Sequence, residues 1–267
     1  MKPTVILTQD QIDFFHREGY LAIDAITTKE EVQKMRVIYD ALFEQKAGLK
    51  DGSHFDLAGS NKEGAQAVLP QISGPSKYAP ELLTTLFRVN AHAIVCQLLG
   101  QDVECHYDHA ILKPGGRSAP TPWHQDESYW SPALEYQRVN VWMPLQEATL
   151  ENGCMQFIPG SHKLEVLPHH SINNDPATAG LEVDMAYVDE SRAVACPLPE
   201  GGATFHLGRT LHYTSTNLTN HPRRSYSLVF GTTPKPRSTP REFKWQAEKE
   251  VARQERIKRA AEKTTAS

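Results

Sequence analysis

The chain has little of what marks a secreted, membrane-bound or nucleic-acid-binding protein. Its 267 residues contain four widely spaced cysteines and no Cys-x-x-Cys pair. Disulfide frameworks are denser and occur in shorter secreted chains, so we expect buried, reduced thiols and a cytoplasmic location. The only apolar run near the N-terminus, Val5-Ile6-Leu7, is too short for a signal peptide, and no run approaches membrane-spanning length. The net charge of -4 favours neither a nucleic acid nor a membrane as partner.

What the chain does contain is enough apolar sequence for a sizeable core. Hydrophobic residues make up 39% and charged residues 22% of the chain. These proportions are ordinary for a globular protein, and the length suits one β domain with helical additions. We therefore expect a single domain over residues 1–267. Its parts are a mainly helical region (1–100), a β core (101–235) and a charged C-terminal helix or tail (240–267).

The helical signals are concentrated in the first hundred residues. Capping residues and terminal glycines predict one helix within residues 8–19 and a second within 28–48, and Thr28-Lys29-Glu30-Glu31 predicts a capping box at the start of the second. Residues 49–79 are rich in Gly, Ser and Pro, which predicts an irregular loop. A third helix is predicted to begin at Pro80 and to end at Gly100.

Beyond Gly100 the pattern changes to short apolar runs separated by Gly, Pro and Asn. This pattern is typical of a β-sandwich or barrel. The predicted strands cover residues 103–112, 139–145, 155–158, 203–206 and 225–230.

Four of the twelve histidines are followed two positions later by a carboxylate. On a strand, residues i and i+2 point to one face, so such a pair can supply two metal ligands. Two histidines and one carboxylate form the set that holds Fe(II) and leaves positions open. The four pairs are His16/Glu18, His54/Asp56, His106/Asp108 and His124/Asp126.

The surroundings of the four pairs favour His124/Asp126. The His16 pair lies on a predicted helix, where i and i+2 do not share a face. The His54 pair lies in the predicted irregular loop. The His106 pair lies on a plausible strand and is either a ligand pair or a polar strand end. The His124 pair follows a Pro-rich loop and is flanked by aromatic residues that can wall a dry pocket.

A second histidine must come from a distant part of the chain. The candidates are His162, His169, His170, His206, His212 and His221. The polar loop around His169 and His170 predicts a solvated pair. His212 is followed one hairpin later by Arg223, whose guanidinium can bind a carboxylate near the metal. That arrangement favours His212 and leaves His206 as an alternative.

Several motifs, in order along residues 105–230, resemble the phytanoyl-CoA dioxygenase family of Fe(II)- and 2-oxoglutarate-dependent oxygenases. The motifs are Leu112-Lys113-Pro114-Gly115, His124-Gln125-Asp126, Val141-Trp142-Met143-Pro144-Leu145, Glu151-Asn152-Gly153-Cys154, His212-Tyr213-Thr214 and Pro222-Arg223-Arg224. The resemblance implies a mainly β fold, a double-stranded β-helix or cupin-like jelly roll, with helices packed outside. It also implies that His124, Asp126 and His212 are the iron ligands.

The same resemblance assigns the co-substrate site. It implies that Arg223 pairs with the far carboxylate of 2-oxoglutarate. Lys113 and Thr214 are expected to approach the co-substrate, and Trp142 to border it. Two of these have alternatives, because Lys113 also suits a solvated strand end and Trp142 an ordinary core position. Arg224, its strand neighbour, is expected to face the other way.

The activity implied is hydroxylation of an unactivated C–H bond of a small molecule, using O2 and converting 2-oxoglutarate to succinate and CO2. Related halogenases have a small residue in place of the carboxylate, so the retained Asp126 favours hydroxylation; desaturation and ring formation stay open. The alternatives are a zinc-dependent hydrolase on the same triad and a non-enzymatic binding or sensor module. Residues 49–79 and 163–195 are long enough to shape the substrate pocket, but they specify no substrate.

Overall fold

The computed structural model describes residues 1–59, 65–100, 102–247, 249–251, 253–254 and 257–258. The described residues between 245 and 258 are helical, and the rest of the expected tail, 259–267, lies outside them. In these stretches no helix combines the length and apolarity needed to cross a membrane. All four cysteines are free; Cys154 and Cys196 are buried as expected, whereas Cys96 and Cys105 are only partly buried. The cytoplasmic location and the single-domain boundaries stay predictions.

Three α-helices precede the β core: α1 (Gln9–Glu18), α2 (Lys29–Glu44) and α3 (Leu86–Leu99). The third begins later than the sequence predicts. Pro80–Thr84 is a separate 3-10 helix, and Thr85 then adopts an extended conformation and caps α3 by accepting from the amide of Arg88. A residue with extended backbone dihedrals cannot continue a helix, so the single predicted helix is two.

The capping box predicted at the start of α2 is only half formed. Thr28 accepts from the amide of Glu31 as expected. The Glu31 carboxylate instead reaches α3, where it accepts from the amides of Leu86 and Phe87 at 2.6 and 2.8 Å. These are amides that the first turn of a helix leaves without internal partners. Glu31 therefore ties α2 to α3.

The strands form two main antiparallel sheets and two short two-stranded sheets. Their bounds are β1 (Tyr20–Ile23), β2 (His54–Asp56), β3 (Pro70–Ser73), β4 (Glu104–Lys113), β5 (Thr121–His124), β6 (Leu134–Glu135), β7 (Arg138–Pro144), β8 (Met155–Phe157), β9 (His169–Ser171), β10 (Leu181–Val183), β11 (Val194–Cys196), β12 (Ala203–Leu207), β13 (His212–Thr214), β14 (Arg223–Gly231) and β15 (Lys235–Pro236).

The larger sheet has the order β1-β12-β7-β14-β4-β3-β2, and the smaller sheet the order β11-β8-β13-β5. The two-stranded sheets pair β9 with β10 and β6 with β15. Val139, Val141 and Met143 of β7 pack with the helices on the outer face of the larger sheet. The alternate residues of β7 face the smaller sheet. The expected jelly-roll fold with helices outside is confirmed.

The prediction of an irregular loop over residues 49–79 is wrong in part. This stretch contains β2 and β3, and β3 pairs with β4 at Gln71–Ile111 and Ile72–Ala110. Strands this short carry too few residues for a recognisable alternation, so pairing with β4 decides their conformation. The segment 163–195 is likewise partly ordered, as the β9–β10 hairpin.

Candidate metal and co-substrate site

Three predicted ligands meet between the two sheets. His124 ends β5, and His212 begins β13 directly opposite it in register. Cross-strand neighbours bring their side chains together, and the two imidazole centroids are 4.1 Å apart. Gln125 is extended, so the side chain of Asp126 returns to the face of His124. One ligand atom from each of the three residues lies within 4.8 Å of the others.

Backbone carbonyls orient both imidazoles toward the centre of this triad. The Nδ1 atom of His124 lies 2.8 Å from the carbonyl of Pro122, and that of His212 lies 2.9 Å from the carbonyl of Thr210. A carbonyl can only accept, so each Nδ1 carries the hydrogen and each Nε2 keeps its lone pair. The Nε2 atoms lie 3.5 and 3.6 Å from carboxylate oxygens of Asp126. This is the tautomer that a metal ligand needs.

One oxygen of Asp126 is held from the opposite sheet. Asn140 of β7 and His206 of β12, cross-strand partners, both donate to Oδ2, His206 through Nε2 at 3.0 Å. The other oxygen, Oδ1, is left for a metal. His206 was the alternative ligand candidate. Its Nε2, the atom that would bind iron, instead contacts the Asp126 carboxylate. Asn140 was not among the predicted site residues. Its position between the apolar Val139 and Val141 indicates that it faces the opposite side of β7, toward the cavity.

The electrostatics favour an ionised Asp126 carboxylate beside a neutral His212 imidazole. Burial works to raise the pKa of Asp126, but His212, His124 and His206 outweigh it and hold that pKa well below its usual value. Burial, and after it the neighbouring His124, lowers the pKa of His212 well below its usual value. Metals bind ionised carboxylates and neutral imidazoles, so Asp126 and His212 have the protonation states that ligation requires.

One end of the same cavity, which we call the deep end, is formed by the buried cation Arg223, with a second buried cation, Lys113, beside it. Arg223 at the start of β14 pairs across the strands with Lys113 at the end of β4, and their exposed fractions are 2% and 0%. Arg223 Nη1 donates to Ser225 Oγ at 2.7 Å, and its guanidinium lies 5.4 Å from the Trp142 ring. Lys113 Nζ donates to the carbonyl of Thr214 at 3.3 Å and to a second carbonyl at 2.7 Å. The alternative of a solvated Lys113 is wrong.

These two charges have no carboxylate partner among the described residues. Burial lowers the pKa of Arg223 to about 10, and burial together with Arg223 lowers the pKa of Lys113 well below its usual value. Arg223 Nε and Thr214 Oγ1 are buried without a hydrogen bond. Unpaired buried charge and unsatisfied donors are unfavourable, so this end of the cavity suits an anion with several oxygen atoms.

Arg224 faces outward, as the strand alternation predicts. Its Nε and Nη2 contact the two carboxylate oxygens of Asp40 on α2 at 2.5 and 2.9 Å. Trp142 packs in a core cluster with Phe157 and Met155 and also lines the cavity, so its place beside the co-substrate stays a prediction.

Among the described residues, the other His-x-acid pairs belong to no group of three potential metal ligands. Asp108 accepts from the amide and hydroxyl of Ser76 and from the hydroxyl of Tyr226. Asp56 accepts from the amides of Val68 and Leu69. Both carboxylates therefore satisfy backbone and hydroxyl groups of their own neighbourhood, which is a structural use.

The prediction of a solvated pair at His169 and His170 is wrong for His169. That residue is 6% exposed on β9, and its Nε2 accepts from the amide of Gln125 at 3.1 Å. His170 is partly exposed and lies 3.4 Å from Glu182. Pairing of β9 with β10 buries His169, and no local sequence signal announces that pairing.

The cavity continues past the triad toward solvent. His109 on β4 lies there, with a buried Nδ1 that has no hydrogen bond, and burial lowers its pKa to about 4. His109 was not among the predicted site residues, although its spacing places it on the same face of β4 as Ile111 and Lys113. The cavity is lined by His109, Ile111, Thr121, His124, Asp126, Asn140, Trp142, Met155, His206, His212, Tyr213, Thr214, Arg223, Ser225 and Ser227.

The sequence profile of the family described as phytanoyl-CoA dioxygenase (PhyH) matches residues 15–225, well over half of the chain. The chain belongs to the phytanoyl-CoA dioxygenase family. Its relatives include a phytanoyl-CoA dioxygenase of Arabidopsis thaliana, 25% identical over 254 residues and covering 83% of this chain and 88% of the relative. Fe(II) and 2-oxoglutarate, the cofactors expected from the sequence, are confirmed at the level of this family.

Solved structures agree with the phytanoyl-CoA dioxygenase assignment. EvdO2 from Micromonospora carbonacea var. aurantiaca, complexed with 2-oxoglutarate, is 37% identical, with a TM-score of 0.78 over 92% of this chain and 99% of that chain. The carbocyclase SnoK from nogalamycin biosynthesis is 21% identical with a TM-score of 0.70 over 89% and 90% of the two chains. At that identity SnoK supports the fold alone.

The described residues fit both groups that the family requires. The triad offers two neutral Nε2 atoms and one carboxylate oxygen. The deep end offers two unpaired cations and an unsatisfied hydroxyl to a dicarboxylate.

Proposed function

We propose that the protein is an Fe(II)- and 2-oxoglutarate-dependent dioxygenase that hydroxylates an unactivated C–H bond of a small molecule and releases succinate and CO2. One observation carries the proposal. The two-His-one-carboxylate triad and the uncompensated guanidinium of Arg223 line one cavity, and the buried Lys113 pairs with Arg223 across the neighbouring strand. The relative EvdO2 has been solved with 2-oxoglutarate.

In this proposal His124, Asp126 and His212 hold iron on one face. Iron bound there supplies O2 activation and the electron transfer that couples decarboxylation of 2-oxoglutarate to C–H oxidation. The carbonyls of Pro122 and Thr210 keep each Nε2 directed at the metal. Asn140 and His206 hold Asp126 Oδ2, which leaves Oδ1 as the ligand atom.

Arg223 binds the far carboxylate of 2-oxoglutarate. Its guanidinium is fixed by Ser225 and by the Trp142 ring, so it offers a fork of preset orientation. The hydroxyl of Thr214 donates to the same carboxylate, and Lys113 adds a second positive charge beside it. Trp142 forms the wall of the co-substrate site and excludes water from it.

Asp126 also bears on the type of product. A small residue at this position would leave a coordination place for a halide ion, and the retained carboxylate favours hydroxylation. A hydroxylated product gains one oxygen atom, whereas ring formation or desaturation removes two hydrogen atoms. Mass spectrometry of the products from candidate small molecules, with succinate as a second readout, decides between them.

The metal assignment is tested with the His212→Ala variant. We expect it to lose tight Fe(II) binding and substrate-dependent succinate formation, whereas His221→Ala, which alters an exposed histidine, keeps both. Anaerobic calorimetry measures the iron affinity. Unchanged affinity in His212→Ala would assign the third ligand to His206.

Two alternatives from the sequence are tested by the same assays. A zinc-dependent hydrolase would be active with zinc and would need no 2-oxoglutarate, and it gives the unpaired cations Arg223 and Lys113 no role. A binding or sensor module would release no succinate with any substrate. Succinate formation that depends on Fe(II) and O2 contradicts both.

A further inference from the structure

The turn that carries Asp126 is held by a segment beyond the family match. We call residues 125–130 the ligand turn; it contains the 3-10 helix Asp126–Tyr129. We call residues 241–249 the C-terminal strap, of which all but residue 248 are described. The family profile ends at residue 225, so the strap lies outside it.

The strap satisfies backbone carbonyls at the end of the ligand turn. The last carbonyls of a short helix have no partners within it. The indole Nε1 of Trp245 donates to the carbonyl of Ser128 at 3.0 Å, and Nε2 of Gln246 donates to the carbonyl of Trp130 at 2.6 Å. These two contacts fix where the turn ends.

A buried ion pair holds the residue next to Asp126. Glu127 is 5% exposed, and its carboxylate lies 2.7 Å from Nη2 of Arg241. Arg209 lies farther off, with Nε at 3.7 Å. Removing one member of a buried ion pair leaves the other charge uncompensated. The position of Glu127 therefore depends on the position of Arg241.

Stacked rings extend the strap to the residue on the other side of Asp126. The guanidinium of Arg241 lies 4.9 Å from the ring of Phe243, which stacks on Trp245 at 4.8 Å. The Trp245 ring lies 5.4 Å from His169, whose Nε2 accepts from the amide of Gln125. Contacts from the strap thus reach both chain neighbours of Asp126.

A final contact anchors the strap outside the ligand turn. Lys249 Nζ donates to the carbonyls of Thr178 and Gly180 at 2.8 and 2.9 Å. The strap is therefore fixed to the β9–β10 region while it holds the ligand turn.

We propose that the C-terminal strap is a positioning element for the metal ligand Asp126. The inference rests on the proposed metal site. In it, Arg241, Trp245 and Gln246 position the carboxylate of Asp126. A metal ligand displaced by more than roughly 0.5 Å loses productive geometry. Loss of groups that orient a ligand lowers metal affinity about 10–100-fold.

The experiment compares Gln246→Glu and Trp245→Phe with Lys244→Ala. The first keeps the size of the side chain but places a carboxylate against the carbonyl of Trp130; the second keeps the ring but removes the indole N–H. Lys244 is exposed in the same segment and serves as the matched control. Full-length proteins are titrated with Co(II), a stable substitute for Fe(II), by calorimetry and by visible absorption, and thermal unfolding of the metal-free proteins is recorded.

We expect both strap variants to bind Co(II) about tenfold more weakly and to alter its absorption spectrum, with the control unchanged. A spectrum and affinity equal to wild type in the folded strap variants would overturn the inference even if their unfolding temperature falls. If one variant does not fold, the other decides on the same criterion. Failure of the wild-type protein itself to bind Co(II) or Fe(II) would contradict the proposed function instead.

Discussion

The buried side chains of Arg223 and Lys113 carry the most specific functional information in single residues. Cationic side chains are rarely fully buried without a partner, because desolvating a charge is unfavourable. Here the two lie side by side on neighbouring strands, and among the described residues neither has a carboxylate partner. In the proposed function a bound dicarboxylate would supply the missing charge, so we expect affinity for 2-oxoglutarate to depend largely on Arg223.

Replacing Arg223 is the direct test at this scale. We expect Arg223→Ala to raise the 2-oxoglutarate concentration needed for half-maximal succinate formation about 10–100-fold, because charge-assisted hydrogen bonds are lost. Arg224→Ala is the matched control, since Arg224 pairs with Asp40 on the outer face. A larger effect in Arg224→Ala would mean that the strand register is wrong by one residue.

His169 makes the stability of the metal-free protein depend on pH. Its Nε2 accepts from the amide of Gln125 and its Nδ1 donates to a carbonyl, so a proton added to Nε2 would have no acceptor. Burial is the largest cause of the pKa shift of His169, which lowers the pKa from 6.5 to about 3. In the unfolded chain His169 binds a proton below about pH 6.5, whereas in the folded chain it stays neutral until about pH 3. The stability present above pH 6.5 is therefore lost as the pH falls through this window.

Urea unfolding at about pH 7 and about pH 5 measures this loss. The slope of the free energy of unfolding against pH gives the number of protons that bind on unfolding. In His169→Gln we expect that number to be smaller by about one. An identical slope in the variant and the wild-type protein would show that His169 titrates normally.

At the scale of elements, side chains from one element complete the ends of another. Glu31 of α2 caps α3, and Trp245 and Gln246 of the strap complete the ligand turn. Helix ends leave backbone groups without partners, so their position depends on donors and acceptors brought by tertiary packing. This is why α3 begins at Leu86 rather than at Pro80.

Removal of the Glu31 carboxylate tests the tie between α2 and α3. We expect Glu31→Ala to lower the free energy of unfolding by about 1–3 kcal/mol, because two amides and a helix N-terminus lose a charged acceptor. The unfolding temperature should fall by roughly 2–10 °C, measured by calorimetry. Glu30→Ala, at an exposed neighbour, should leave it unchanged. Equal effects of the two substitutions would contradict the capping role of Glu31.

At the scale of the whole molecule, two sheets bring ligands from distant stretches to one cavity. The smaller sheet carries His124 and His212, and the larger sheet carries Asn140, His206, Lys113 and Arg223. The proposed metal and co-substrate sites are contiguous in that cavity, so we expect their occupation to be coupled.

Thermal shift measurements test this coupling. With Co(II) present, saturating 2-oxoglutarate should raise the unfolding temperature by about 5–10 °C, because a ligand at 100 times its Kd stabilises by about 2.7 kcal/mol. A chelator should remove most of the increase, since the keto acid then loses its metal contacts. The same increase with and without chelator would contradict a shared site.

Much of this site was predictable because strand alternation and family motifs act locally. The i and i+2 spacing of His124 and Asp126 and the alternation of Arg223 and Arg224 appear in the structure as expected. Asn140 and His109 were missed, although the same alternation marks them. His169 was misjudged because pairing with β10 buries it, and the strap was missed because its contacts with the ligand turn join residues more than a hundred positions apart.

The sequence by itself determined the family, the fold class and the residue types of the site, since these depend on motifs and periodicity that each short segment carries. Only the tertiary structure decided which side chains support them: His206 and Asn140 on Asp126, Lys113 beside Arg223, and the strap on the ligand turn. The reason is physical. A side chain's orientation along its own strand follows from local backbone geometry, whereas its partner across the cavity depends on which distant strands pack together.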